Sequence, residues 1–222
     1  MAGSATQPQP ESLPVTSTRS SNGLAEFCAS LEERPGLAIL DFAPASQGTV
    51  SFVTNYGHKL YSEDFLEQLD QSFGAEALAQ LGITSADAET QWDHHANPLL
   101  ASRFFASALN FTDESFDGVL VWDCLEYLAP PLLDSVVEKL HRILRPGAYL
   151  LALFHAETQD QKASGSASYR IQDGRTLQMM PRPARPLAQV FNNRGLEKLF
   201  QDFDSVKFFL TRDNLREVIV RK

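Results

Sequence analysis

Apolar residues fall in short blocks along this chain, and the period inside the blocks alternates. Residues 37–42 (LAILDF), 116–123 (FDGVLVWD) and 148–154 (AYLLALF) are nearly continuous apolar runs, the pattern of strands buried on both faces of a sheet. Between the last two, Leu132, Leu133, Val136, Val137, Leu140, Ile143 and Leu144 recur at helical spacing, and Arg145-Pro146-Gly147 is a stop signal. Leu24, Phe27, Cys28 and Leu31 share one face of a short helix that Pro35-Gly36 ends. A helix starts at residues 49–53 and closes at Gly57, and residues 58–61 (HKLY) make a weak second strand. Phe65, Leu69, Phe73, Ala77, Leu78 and Leu81 form a helical stripe interrupted at Gly74.

Residues 82–97 are polar without a usable period, whereas 98–109 read as helix through Leu100, Phe104, Phe105 and Ala108. Residues 155–192 are loop-like, apart from a small hairpin of 169–171 and 176–179 turned by Asp173-Gly174. Asn193 is placed to cap a helix carrying Leu196, Leu199, Phe200 and Phe203, and 206–210 with 215–220 pair as a closing antiparallel hairpin. Strands alternating with helices require crossovers between parallel neighbours. The expected fold class is therefore α/β, a doubly wound, mostly parallel sheet with a C-terminal antiparallel hairpin.

Composition bounds this picture. With 222 residues, 43% of them hydrophobic, the chain can bury one substantial core. Residues 1–22 are rich in Ser, Thr, Pro and Gln and offer too little apolar surface to offset their own ordering, so they are expected to be a flexible tail before a single domain at 23–222. A net charge of −9 argues against a nucleic-acid surface. No run approaches the roughly 18 apolar residues of a membrane span, and the N-terminus lacks a signal layout, so a soluble cytoplasmic protein is expected. Cys28 and Cys124 have no metal-type spacing and read as buried thiols, a disulfide being the lesser alternative.

The segment 111–154, FTDESFDGVLVWDCLEYLAPPLLDSVVEKLHRILRPGAYLLALF, resembles the fourth strand, following helix, turn and fifth strand of the class I S-adenosylmethionine-dependent methyltransferases of small-molecule type. FNNRGLEKLFQDF with the last two strands is similar to that family's closing helix and reversed hairpin, and ILDFAPASQG with YSED extends the likeness over roughly residues 24–220. The resemblance implies a Rossmann-like, seven-stranded sheet with S-adenosylmethionine at the carboxyl ends of the first, second and fourth strands. Open sheets bind ligands there because the strand order reverses.

Carried over residue by residue, the resemblance makes Asp41 the acid at the end of the first strand, with Phe42, Ala43, Ala45 and Gly48 in the loop beside the cofactor. Ala43 and Ala45 stand where glycines are usual, and Pro44 lacks an N–H, so the glycine loop is degenerate. Two or three lost hydrogen bonds would weaken binding by about 1–4 kcal/mol, or roughly 10- to 1000-fold. A plain strand-to-helix turn is the alternative, and a nicotinamide dinucleotide fits less well because its pyrophosphate needs the donors that Pro44 removes. Asp64, or Glu63 one residue earlier, is the implied ribose-binding carboxylate; Asp64 also suits a helix cap.

The family's third strand is expected to be missing or badly formed between residues 82 and 110. At its end Ala108-Leu109 carries no carboxylate to read adenine, so Leu109 stands at that position without the chemistry. Trp122 either covers the cofactor or belongs to the core; Asp123 either orients a ligand or is a solvated acid. His155 is a candidate general base, His94-His95 lack a third ligand, and no metal is assigned; other catalytic residues are unassigned. Lys162, Arg170, Arg175, Arg182, Arg185 and Arg194 make a basic strip suited to a lid over an anionic substrate or to a protein partner, with a solvated face as the default. The implied activity is methyl transfer to an unidentified small-molecule acceptor. The competing reading is a catalytically inactive interaction or regulatory module of the same fold.

Overall fold

The computed structural model describes residues 16–32, 34–83, 92–155, 167–211 and 215–222. Its main sheet has six strands in the order β3-β2-β4-β5-β9-β8, formed by β2 (Ala38–Asp41), β3 (Lys59–Ser62), β4 (Phe116–Trp122), β5 (Leu144–His155), β8 (Ser205–Leu210) and β9 (Leu215–Arg221). β3-β2-β4-β5 are mutually parallel; β9 runs antiparallel to β5, and β8 to β9. Every residue of β4 is buried, as its uninterrupted apolar run requires of the sheet's centre. Gly118 in that strand lets α1 (Asn22–Ala29) close in, since an added Cβ would stand 2.7 Å from Phe27 Cζ.

Crossover helices α2 (Gln47–Asn55), α3 (Phe65–Phe73), α4 (Ala75–Gln80), α5 (Pro98–Ser107) and α6 (Pro130–Ile143), followed by α7 (Asn193–Leu199), cover the sheet. Gly57 at φ +78° follows α2, and Gly74 separates α3 from α4, as expected. A further edge strand beyond β3 is absent among the described residues. Residues 93–96 form a single tight turn, and Asn97 Oδ1 then accepts from Leu99 N at 3.0 Å to start α5 with Pro98 in its first turn. Among the described residues the main sheet thus has six strands where the resemblance implies seven, and β3 is its edge, with Tyr61 45% exposed.

Three further expectations are corrected. The flexible tail does not extend to residue 22: β1 (Ser17–Ser20) pairs antiparallel with β7 (Thr176–Pro181), which pairs with β6 (Ala167–Ile171), so the small hairpin is a three-stranded sheet. Burial explains it, because Arg19 enters the interior and its guanidinium meets Glu217 Oε1 at 2.8 Å, where Glu217 Oε2 also accepts from Gly23 N at 2.6 Å. Residues 1–15 of that tail lie outside the described residues. Asn192, not Asn193, caps α7, its Oδ1 accepting from Gly195 N at 2.8 Å. The Arg-Pro-Gly signal ends α6, but its residues already belong to β5, where Gly147 takes φ +79° and the pairing with β4 shifts register.

Both cysteines are free and buried, and burial pushes the Cys28 thiol up to about 12. His95 is an interior group whose Nδ1 accepts from Ala129 N at 3.0 Å; burial brings it down to about 4. Among the described residues, no helix is long and apolar enough to cross a membrane.

Candidate functional site

The strand order reverses between β2 and β4, because the chain steps outward from β2 to β3 and returns on the other side at β4. In open sheets ligands bind in a crevice at the carboxyl ends beside such a reversal, and Asp41, Glu63, Asp64 and Asp123 all follow or close strands on that side. Asp41 closes β2 and is 1% exposed. Its Oδ1 accepts from Ala43 N at 3.0 Å and from Trp122 Nε1 at 2.6 Å, one donor from the loop after β2 and one from the end of β4. Burial raises its carboxyl to about 7 despite these two bonds.

β3 lies in register with β2, Ser62 opposite Asp41, which sets Glu63 and Asp64 at the adjacent exit. Glu63 N donates to Asp41 O at 2.8 Å, and both acids are half-buried; burial raises the Glu63 carboxyl. Asp64 is the cap of α3, accepting from Glu67 N at 3.4 Å, so its capping role is realised. Phe42 turns into the core and stacks on Phe65 with ring centres 4.4 Å apart. Ala43 is buried, Ala45 and Gly48 are exposed, and Ser46 caps α2 by accepting from Thr49 N at 3.3 Å. Leu109 is buried in the core at φ +57° and contributes no polar group.

Trp122 ends β4 at φ +56° and is 2% exposed; Tyr169 of β6 stacks on it with centres 5.5 Å apart and planes within 16°. Asp123 is not a solvated acid. It is buried, Tyr127 Oη donates to its Oδ2 at 3.3 Å, and burial raises it to about 6, opposed by the nearby His155. His155 ends β5 and is clamped by Glu126, whose Oε1 accepts from His155 N at 2.9 Å and whose Oε2 lies 2.6 Å from His155 Nδ1. Burial would lower the His155 imidazole, but the Glu126 hydrogen bond and charge leave it raised.

The residues of the basic strip differ in their surroundings. Arg185 pairs with Asp70 and lies 5.6 Å over the Tyr127 ring, Arg182 reaches Ser168 Oγ at 3.4 Å, Arg175 and Arg194 are exposed, and Lys162 lies outside the described residues.

Glu126 and Tyr127 escaped the sequence reading, and Tyr169 figured in it only as part of the hairpin. Glu126 and Tyr127 had a signal, since they sit one turn past a strand whose tip was already a candidate. A site role for Tyr169 had none, because only the fold brings the hairpin onto α2, where Thr49 Oγ1 accepts from Ile171 N at 3.1 Å.

Residues 61–152 match the family model described as a methyltransferase domain. No curated protein sequence matches the chain. Among solved structures, it is similar to a SAM-dependent methyltransferase of Methanosarcina mazei, at 18% identity and a TM-score of 0.46, over 88% of this chain and 96% of that one. It is also similar to the 1,6-didemethyltoxoflavin N1-methyltransferase of Burkholderia thailandensis, solved with 1,6-didemethyltoxoflavin and S-adenosylhomocysteine, at 15% identity and a TM-score of 0.44, over 90% and 76% of the two chains. A SAM-dependent methyltransferase of Aquifex aeolicus gives 14% identity and a TM-score of 0.42, over 89% and 88%. The part of the chain from β3 into β5, residues 61–152, is thus similar to a methyltransferase domain.

Proposed function

We propose that the chain binds S-adenosylmethionine at the carboxyl ends of β2, β3 and β4 and serves methyl transfer to a small-molecule acceptor. The observation that carries this reading is the methyltransferase-domain match, which begins at the strand whose exit presents Glu63 and Asp64. The residues fit a nucleoside ligand. Two half-buried carboxylates can accept hydroxyl hydrogens.

When bound, S-adenosylmethionine supplies a methyl group already activated on sulfur, so alignment is the protein's main task. Glu63 and Asp64 are the ribose-facing acids, and without ligand Trp122 with Tyr169 keeps water from the space over Asp41. His155, its Nδ1 committed to Glu126, leaves Nε2 as the position that takes a proton from an O–H or N–H acceptor.

Calorimetric titration with S-adenosylhomocysteine tests the reading. Saturable binding is expected, and Asp64→Asn, which keeps a capping oxygen for α3, should weaken it about tenfold through the lost charge. No heat at millimolar ligand, with the protein folded, would overturn it. The filling of the crevice by Trp122 favours a second reading, a non-catalytic interaction module of the same fold. Its contacts would include the exposed Arg175 and Arg194, and unchanged recovery of partners after both are changed to Ser counts against it.

A further inference from the structure

A ligand entering at the reversal between β2 and β4 meets protein already there. The Trp122 indole crosses from β4 to the Asp41 carboxylate on β2 at 2.6 Å, and the Tyr169 ring lies flat over its other side. All three residues are at most 3% exposed, so the bridge is closed off from water. It is held against a local cost, because a bulky side chain takes φ near +56° only where its surroundings impose it. The cover is a small separate sheet. At its β1 edge it is anchored by the buried pair of Arg19 and Glu217; at its β6 edge it rests on the start of α2 through the Ile171–Thr49 hydrogen bond.

We propose that Trp122 and Tyr169 form a removable stopper in the crevice, and that an adenosine thioether or sulfonium enters only after the indole leaves Asp41 and the β6 edge lifts from α2. The sheet pivots about its β1 edge, where the anchor is buried. This inference rests on the cofactor reading of the crevice. It adds that the resting chain excludes its own ligand, so apparent affinity is lowered by the fraction of molecules that are closed.

The probe is S-adenosylhomocysteine, titrated into the full chain by calorimetry and followed by tryptophan emission in a Trp92→Phe background, where Trp122 is the one remaining tryptophan. Weak binding is expected with Trp122 in place, together with a red shift of its emission as the indole enters a wetter setting. In calorimetry, Tyr169→Ala should bind about 10-fold tighter and Trp122→Ala about 10- to 100-fold tighter. If Trp122→Ala does not fold, as judged by circular dichroism, Tyr169→Ala carries the test, since it leaves the indole–carboxylate bond in place.

Equal affinity in all three proteins with unshifted emission overturns the stopper and leaves the cofactor reading standing. Weaker binding in both variants also overturns it, because the rings would then be ligand contacts. No binding by any folded variant removes the cofactor reading and the stopper together.

Discussion

At the scale of single residues, Asp41 is the most exacting position. Burial raises its carboxyl from 3.8 to about 7, so between those values the folded chain holds a proton that the unfolded chain has released. Stability then falls as pH rises through that window, by on the order of 4 kcal/mol once Asp41 is ionised. Asp41→Asn keeps an acceptor for Trp122 and Ala43 without the charge. Urea unfolding at pH 5 and pH 8 should show the wild type losing about 2–3 kcal/mol more than the variant, the rest having gone below pH 5; parallel losses would mean that Asp41 titrates normally. Subtracting the variant removes the similar contribution of Asp123, which burial raises to about 6. The sequence named Asp41 and Trp122 separately as candidates at two strand ends. It could not show that they bond to each other, because that contact depends on β2 and β4 being neighbours and on the unusual backbone of Trp122.

Among the elements, strands with continuous apolar runs and helices with clear stripes were legible, since burial on two faces and on one face leaves different periods. β2, β4, β5, α6 and the closing hairpin lie where the pattern put them. β1 was hidden, because Ser17–Ser20 (STRS) has no apolar alternation and is held by one buried cation rather than by a greasy face. That anchor makes a prediction. Arg19→Ala leaves Glu217 buried without its countercharge and should destabilise the fold by about 3–5 kcal/mol. Changing both partners to Met should recover much of the loss, read from denaturant midpoints. A single-variant cost below about 1 kcal/mol would show that the pair is not truly sequestered. The same contact explains Gly23, where an added Cβ would stand 2.8 Å from Leu151 Cδ1 and 3.1 Å from Glu217 Cβ.

For the molecule as a whole, the first ordered strand finds its place only among much later parts of the chain. Arg19 and Glu217 are separated by 198 positions, and β1 adds to a ribbon that does not exist until residues 176–181 have been made. During synthesis the α/β body can begin to assemble before its N-terminal segment has anywhere to go, and connections this distant form slowly because their loop entropy is met first. On the proposed reading of the crevice, its cover is completed late, so a newly made molecule would spend an interval with Trp122 less fully shielded than in the finished fold.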